Sequence, residues 1–513
     1  MFGFRTALCG TCAILFVTTG AAAADLPLKA KAVEYVKVCS NYGAGFYYIP
    51  GTDTCLKIGG ALRLDTVFNG GTYDAPFIQG GPGGNNIYTK NYYASRERFT
   101  LSEDTRTSTE YGVLRTYANL QIEFLQDRDS IAGGFLATDY AFIQFAGFTL
   151  GKAVSQFDPQ WTLARPHMSS GYLNGSFNPT GLPQLAYTAT FGSGFSATFA
   201  LENASPYRNA GLYNTSGLIV APGAGQFQLG GYGSASNTFL GNSTGGNHYP
   251  DVVSNLRLDQ AWGTLHLAAA AHNESATFYG NTDATGHPDE NTWGYAITGA
   301  LSLIQLPTGK GDRFLIEAGY ADGAAKYLFG GSVDILGGGR FSRVNDRSIG
   351  FGYVLDGIYS GVPGSQIIKS SAWQVDVAFE HYWTPFWRSS VFGSYSHISY
   401  GSSGDALLFA AFGGNGGVGA GRLGTSNSAG SSTSGSLSSS TTGSFDLGIA
   451  QIGTKTSWTP VKDLTLSVEF LYSRIDQNLS GTYTGTMPGR PAQTYQLSDQ
   501  NAYNGAVQIL RSF

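Results

Sequence analysis

Apolar and polar residues alternate along most of the chain, in stretches of about ten residues that each end in a turn. In residues 56–68, for example, Leu62 and Leu64 fall on one face, and Arg63 and Asp65 fall on the other. A period of two predicts a β-strand with one apolar and one polar face. The pattern therefore predicts a protein built from such strands.

Counting these stretches along the chain predicts sixteen strands. They span residues 56–68, 92–104, 111–124, 135–146, 148–157, 183–191, 195–203, 251–260, 264–272, 292–305, 313–321, 371–383, 387–400, 445–458, 464–477 and 501–513. The interval 322–370 stays open, because it could hold a further hairpin.

The connections between these strands alternate in length. The short ones include 192–194, 260–263, 384–387 and 459–463, and the long ones are 69–91, 158–182, 204–250, 273–291, 322–370, 401–444 and 478–500. Short turns on one rim and long loops on the other are typical of an outer-membrane β-barrel. We therefore expect an all-β fold, a transmembrane antiparallel barrel of about sixteen strands with short periplasmic turns and long extracellular loops. Such a barrel encloses a water-filled lumen.

Composition agrees with a barrel and excludes other classes. The chain has 513 residues, of which 72 are Gly, 42% are apolar and only 13% are charged. Beyond the first 24 residues, no run approaches the ~18 apolar residues of a transmembrane helix, which excludes a helical membrane protein. A formal net charge of −5 argues against a nucleic-acid partner.

The N-terminus has the features of a secretory signal peptide. Residues 1–24 contain one arginine, then an apolar stretch, then small residues that suggest cleavage after Ala24. We expect residues 25–55 to form a periplasmic segment before the barrel, which occupies 56–513. In an exported protein, Cys39 and Cys55 predict a disulfide, while a zinc site is the alternative and lacks further nearby ligands.

Two strings that resemble catalytic or phosphate-binding motifs carry little weight. "GNSTG" (241–245) lacks the strand–turn–helix that a nucleophilic serine requires. "GAGRLG" (419–424) lies in the low-complexity Gly/Ser-rich stretch 401–444, and no helix follows it to hold a phosphate. The seven histidines show no metal-binding spacing. The sequence therefore predicts no enzyme activity, no metal and no cofactor.

Charged residues on the polar strand faces are the candidates for lining the lumen. A charge facing lipid at mid-membrane costs roughly 2–4 kcal/mol, which favours an inward orientation. The basic candidates are Arg63, Arg96, Arg98 and Arg115 on the first three strands and Lys152 on the fifth. They predict a positive wall, with an ordinary solvated inner surface as the alternative. The acidic candidates nearby are Asp65 and Glu123, and the long loop 158–182, which could oppose the wall, adds Asp158 and Arg165.

Three segments resemble the alphaproteobacterial porins. "AVEYVKVCSNYGAGFYYIPGTDTCLKIGG" (32–60) resembles the mature start of that family, in which two cysteines bracket a Tyr/Gly-rich segment. "YAFIQFAGFTLGKAVSQFD" (140–158) is similar to the family's strand–turn–strand before the constriction loop, and the last strand ends in Phe513 as it does there. A terminal phenylalanine also resembles the signal that the barrel assembly machinery reads.

The resemblance implies a trimeric, sixteen-stranded porin in the outer membrane of a Gram-negative bacterium. Its function would be passive diffusion of small hydrophilic solutes and ions, with loop 158–182 folded into the lumen. Its partners would be outer-membrane lipid and two further copies of the same chain. General porins usually carry several loop carboxylates, whereas this loop offers Asp158 alone, so the preference for cations or anions stays open.

Other functions of a barrel remain as alternatives. A substrate-selective channel for sugars or amino acids would use Trp161 and the tyrosines of the loops. A barrel enzyme would need a cluster of acidic, His and Ser residues near one rim. A structural surface protein would display the Ser/Gly-rich loops.

Overall fold

The computed structural model describes most of the chain beyond the N-terminus. The described residues are 37–69, 93–125, 135–159, 161, 166–168, 172–173, 175–176, 181–203, 210–215, 243–280, 282–329, 339–412, 435–487 and 490–513. The predicted signal peptide, residues 1–24, lies outside them, and so do Arg165 and the "GAGRLG" string.

Sixteen long strands form the body of the described structure. They are β1 (Cys55–Phe68), β2 (Tyr93–Thr109), β3 (Gly112–Leu125), β4 (Phe135–Phe145), β5 (Phe148–Ala153), β6 (Leu182–Gly192), β7 (Phe195–Glu202), β8 (Asp251–Gln260), β9 (Gly263–Asn273), β10 (Trp293–Leu303), β11 (Arg313–Asp322), β12 (Ser371–Tyr382), β13 (Trp387–Ser399), β14 (Leu447–Val461), β15 (Leu464–Gln477) and β16 (Gln500–Ser512). Each corresponds to one of the sixteen predicted strands.

The strands close into an antiparallel barrel. Each strand pairs with the next along the chain, and β16 pairs with β1 from Ala61 opposite Ser512 to Phe68 opposite Gly505. Closure leaves no free edge along the paired length, so every backbone N–H and C=O there can be satisfied without water. The predicted antiparallel barrel is confirmed.

Two predicted strand ends differ from the structure by more than three residues. The second strand extends to Thr109 rather than ending at residue 104, because it continues into a tight hairpin with β3. The fifth strand ends at Ala153 rather than at residue 157. There the side-chain amide of Gln184 donates to the backbone carbonyls of Ala153 and Val154, at 3.1 and 2.8 Å, and the chain turns into the lumen.

The outer surface of the barrel carries the apolar face of the alternation. Leu62, Ile122 and Phe199 are 45%, 51% and 54% exposed, as expected for side chains that meet lipid. Tryptophans lie where the periplasmic turns meet the strands, and Trp387 and Trp458 stack there with ring centroids 5.6 Å apart. Amphipathic rings favour this membrane–water boundary.

A disulfide-linked segment covers the exposed edge of β1 at the periplasmic rim. Phe513 exchanges backbone hydrogen bonds with Gly60 at 3.0 and 3.1 Å, so β16 leaves the first residues of β1 unpaired on that side. The short strand Tyr47–Tyr48 pairs with β1 at this edge. The disulfide between Cys39 and Cys55 is confirmed, with Cα atoms 6.0 Å apart, and it holds the segment in place.

The long loops form two small sheets at the opposite rim. One contains the strands Gly339–Asn345, Ser348–Val354, Arg490–Leu497, Thr482–Met487 and Gly435–Leu437, and the other contains Ile368–Lys369, Gly357–Tyr359 and Leu212–Asn214. Interval 322–370 therefore does hold a hairpin, but it lies outside the barrel sheet. Short 3₁₀ helices span Ser40–Tyr42, Asp283–Thr285 and Ala325–Tyr327.

A single α-helix packs among these loops in the described part of the chain. It is α1 (Gly401–Phe412), and its Phe412 ring stacks on Tyr213 and Tyr353 at centroid distances of 5.6 and 5.3 Å. Burial of these rings gives the loop assembly an apolar core of its own. Among the described residues, no helix combines the length and apolarity needed to cross a membrane.

Candidate functional site

The first three strands bring charged side chains of both signs into one row on the inner face. Arg63 on β1 lies opposite Arg98 on β2, which lies opposite Glu123 on β3. Residues directly opposite in an antiparallel sheet share a face, so the three side chains point together into the lumen. The Nε of Arg98 donates to Oε2 of Glu123 at 2.6 Å.

Asp65 is the centre of a second group of charges next to this row. Arg96 donates to its Oδ2 from Nε and Nη2 at 2.8 and 2.5 Å, and Arg63 Nε donates to its Oδ1 at 2.9 Å. Gln508 on β16 adds a hydrogen bond of 2.9 Å. We name Arg63, Asp65, Arg96, Arg98 and Glu123 the charged wall.

The two carboxylates of the charged wall are less exposed to solvent than two of its arginines. The side chains of Asp65 and Glu123 are 4% and 0% exposed, whereas those of Arg63 and Arg98 are 24% and 17% exposed. Water in the lumen therefore meets guanidinium groups first. The structure brings together three of the predicted arginines, and it places both predicted strand carboxylates among them.

Asp139 is a further inward carboxylate, which sequence analysis missed. The register of β3 with β4 shifts here, because Leu120 pairs with Thr138 while Asn119 pairs with Tyr140. Asp139 therefore lies in a β-bulge, where alternation breaks. It is 7% exposed and within electrostatic reach of Arg98.

A signal for this bulge exists in the sequence. Leu136 and Ile143 both face outward, with exposed fractions of 61% and 44%. Their residue numbers differ by an odd number, whereas residues on one face of a regular strand differ by an even number. Two outward residues at odd separation require one extra residue between them. An uninterrupted period of two therefore cannot describe the whole of β4.

Two of the predicted basic residues do not join the charged wall, and the first is Lys152. It follows Phe148 and Leu150 at period two, and both of these are more than 40% exposed on the outer face. The prediction that Lys152 lines the lumen is therefore wrong. It lies near the end of β5, and its ammonium donates to the Thr138 carbonyl at 2.5 Å, in the manner of a lysine that reaches away from lipid.

The second is Arg115, which faces the lumen at a different height. It lies eight residues from Glu123 along β3, which is roughly 27 Å at about 3.4 Å per residue. Its partners are Asp104, with Nη2 to Oδ2 at 3.0 Å, and Gln144, with Nη1 to Oε1 at 3.0 Å. It therefore belongs to a separate group near the periplasmic rim.

Loop 158–182 begins inside the barrel on the side of β7–β9. Glu202 on β7 accepts hydrogen bonds from Ser155 Oγ at 2.8 Å and from Gln156 N at 2.6 Å. Further on, His266 Nε2 on β9 hydrogen-bonds to the Phe157 carbonyl at 3.0 Å. Asp158 is 1% exposed and accepts from Ser176 Oγ at 2.6 Å, so it joins two parts of the loop.

The loop then follows the inner face of β12–β15. Side chains on these strands accept hydrogen bonds from the backbone N–H groups of the loop. Glu469 accepts from Met168 at 2.6 Å, Gln451 from Leu173 at 2.7 Å, and Gln374 from Gly175 at 2.8 Å. Ser390 Oγ donates to the Pro166 carbonyl at 2.5 Å. A loop that leaves the sheet must satisfy its backbone groups in this way.

These contacts place the described part of the loop on the wall formed by β7–β15. The charged wall lies on β1–β3 and therefore faces the lumen from the other side. Charged side chains on one side of the lumen and loop residues bound to the other are an arrangement suited to a channel for hydrophilic solutes.

Ser243, the serine of "GNSTG", has a structural role. Its Oγ accepts from the Asn214 N–H at 3.1 Å, and its own N–H donates to the Leu212 carbonyl at 2.6 Å. It thereby joins a loop strand to its neighbour. In the described parts of the chain, no group of three or more His, Cys, Asp or Glu side chains could hold a metal ion.

Comparison with known proteins gives one family. The model of a porin subfamily matches residues 25–506. Porin Omp2b of Brucella suis biovar 1 is 29% identical over 280 residues, and Porin Omp2b of Brucella abortus (strain 2308) is 31% identical over the same length. Each match covers 51% of this chain and 64% of the relative, so less than two thirds of the relatives' length is matched.

A solved structure shares the fold. The outer membrane channel DcaP of Acinetobacter baumannii superposes with a TM-score of 0.54 at 13% sequence identity. The superposition covers 91% of this chain and 99% of that one. At this identity the likeness concerns the fold alone, and it agrees with the closed barrel described above.

Proposed function

The chain belongs to the porin subfamily, and we propose that it forms a water-filled channel for passive diffusion of small hydrophilic solutes and ions. As a β-barrel of this family it is located in the bacterial outer membrane. The observation that carries the proposal is the position of loop 158–182. The described residues of the loop contact the inner wall of β7–β15, and the charged wall lies on the opposite strands β1–β3, where Arg63 and Arg98 are partly exposed.

Selectivity in this proposal comes from the width of the passage and from its charges. At the height of the charged wall, three arginines lie with the carboxylates of Asp65, Glu123 and Asp139. The formal charges balance, but the exposed groups are guanidinium groups. We therefore expect a weak preference for anions. This refines the predicted positive wall, because the carboxylates behind the arginines reduce its potential.

We also propose that the chain forms a homotrimer in the membrane. We propose further that the barrel assembly machinery recognises the terminal residue, Phe513. Phe513 is 61% exposed on the outer surface, and its backbone pairs with Gly60 on β1. The proposal includes no enzymatic activity, since diffusion through an open passage needs no covalent chemistry. Crosslinking of outer membranes, followed by electrophoresis without heating, tests the trimer.

Liposome swelling tests the proposed diffusion. Purified protein is incorporated into liposomes, and these are diluted into isotonic solutions of neutral sugars of increasing size. The proposal predicts swelling at a rate that falls smoothly as the sugar becomes larger. Liposomes that do not swell in any sugar would refute it. Fast swelling with one sugar and slow swelling with a smaller one would instead support the substrate-selective channel.

A further inference from the structure

Aromatic side chains occupy the inner face of the barrel between the charged wall and the periplasmic rim. Tyr117 on β3 lies directly opposite Asp104 on β2 and Phe142 on β4. Arg115, two residues before Tyr117, faces the same lumen. A phenylalanine on the inner face of a water-filled barrel is notable, because apolar rings are expected on the lipid face.

The rings form a continuous group. Tyr117 and Phe142 stack with centroids 5.4 Å apart and planes inclined by 29°, and Tyr117 and Tyr140 are 6.4 Å apart. The Arg115 guanidinium carbon lies 5.2 Å from the Tyr117 ring centre and 5.5 Å from the Phe142 ring centre. Gly151, opposite Phe142 on β5, adds no side chain beside this ring.

The disulfide-linked segment extends this group toward the periplasm. The Arg106 guanidinium carbon lies 4.9 Å from the Phe46 ring centre and 5.8 Å from that of Tyr42. Lys57 Nζ is 5.9 Å from the Phe46 ring centre. We name the rings of Tyr42, Phe46, Tyr117, Tyr140 and Phe142 the aromatic strip.

The charges along the aromatic strip have an excess of one sign. Arg106 and Arg115 both bind the carboxylate of Asp104, with Nη2 to Oδ2 distances of 2.9 and 3.0 Å, and Lys57 is a third cation opposite it. Three cations and one carboxylate leave two positive charges beside the rings. Arg115 is held in place by Asp104 and Gln144, so its guanidinium is fixed relative to the rings.

We propose that the aromatic strip is a binding site for aromatic monocarboxylates during their passage through the channel. The ring of such a solute would stack on Tyr117 and Phe142, where aromatic pairs gain attraction beyond area burial. Its carboxylate would pair with the guanidinium groups of Arg106 and Arg115, which suit planar carboxylates. A smaller aliphatic anion would gain only the second contact, and a neutral aromatic solute only the first. This inference rests on the proposed function.

Benzoate block of single channels tests the inference. Currents are recorded in potassium chloride while benzoate, acetate, benzyl alcohol or benzylammonium is added on the periplasmic side. The inference predicts that benzoate lowers the current in a saturable manner and that each of the other three at equal concentration lowers it much less. Equal effects of benzoate and acetate would overturn it. The current in potassium chloride alone reports on the channel itself, so a failure of the proposed function is separately visible.

Two variants and a matched control locate the site. Phe142→Leu removes a ring and keeps an apolar side chain, and Arg115→Gln removes a charge. Each is expected to raise the half-blocking concentration of benzoate by roughly 3- to 10-fold, because one stacked ring or one ion pair with the solute is lost. Phe124→Leu, on the lipid face of β3, is the control and should leave it unchanged. A half-blocking concentration that is the same in all three variants as in the wild type would overturn the inference.

Discussion

The exposed arginines of the charged wall make a quantitative prediction for ion preference. Replacing Arg63 and Arg98 together by glutamate changes the local charge by four units. An ion about 7 Å from one unit charge in water feels about 0.6 kcal/mol, and a Debye length of about 10 Å at 0.1 M salt reduces this by about half. Four units therefore favour a cation by about 1 kcal/mol and oppose an anion by a similar amount.

The expected result is a change from weak anion preference to clear cation preference. About 2 kcal/mol between the two ions corresponds to a permeability ratio of potassium to chloride that rises at least about tenfold. The assay is the reversal potential in a tenfold gradient of potassium chloride, which should move by tens of millivolts toward the potassium equilibrium potential. The effect should weaken at high salt because the charges are screened.

A variant with neutral side chains of similar size controls for changes in the width of the passage. Arg63→Gln with Arg98→Gln changes the charge by two units, so its reversal potential should move about half as far in the same direction. Heat-modifiable migration on gels confirms that each variant forms the barrel, since Asp65 and Glu123 lose partners in both. A reversal potential that does not move in the glutamate variant would refute the assignment of these arginines to the passage.

Three further predictions concern the disulfide, the loop rim and the inward loop. Replacing Cys39 and Cys55 by serine removes a link across 16 residues, worth roughly 3 kcal/mol in the chain-entropy model, and proteolysis of intact barrels should then cut the pre-barrel segment first. Glu274, beyond the end of β9, is 1% exposed, and burial raises its pKa well above the usual value. Its contribution to stability is therefore present at low pH and lost as pH rises through the folded-state pKa, so Glu274→Gln should raise the melting temperature at pH 8 but not at pH 4. Gln374→Ala with Gln451→Ala removes two acceptors of loop N–H groups, each worth roughly 1 kcal/mol or more, and should increase both the mean and the spread of the single-channel conductance.

The strands of the barrel were predictable because one physical requirement acts on every one of them. Each strand meets lipid on one side and water on the other, so polarity alternates strictly, as at Leu62 and Arg63. The lengths of the connections indicated a long loop at 158–182, and the resemblance to porins implied that it folds into the lumen. Its contacts to Gln374, Gln451 and Glu469 were not predictable, because they depend on which distant strands the closed barrel places opposite the loop.

The charged residues were predictable only where the alternation was unbroken. Arg63, Arg96 and Arg98 lie together as their phase indicates. Asp139 was missed because a β-bulge adds a residue to the strand. The lower position of Arg115 was not predicted, because the alternation gives the face on which a side chain lies but not its height in the barrel. Lys152 was placed on the polar face because it is charged, whereas a strict count by two from Phe148 and Leu150 puts it on the outer face.

The ordered loops were beyond sequence reasoning for a different reason. Gly- and Ser-rich stretches show no period that distinguishes a strand from an irregular loop. The small strands Gly435–Leu437 and Leu212–Asn214 exist because strands from other loops lie beside them. Helix α1 likewise depends on burial of Phe412 between Tyr213 and Tyr353, which lie far from it in sequence.

Single-channel recording of the purified protein in a planar lipid bilayer tests the central claim most directly. An open passage between the fixed loop and the charged wall predicts stepwise increases of current in potassium chloride, each step ohmic at low voltage. A folded protein that inserts into the bilayer and gives no steps would contradict the account, because it would show that the lumen is closed to ions.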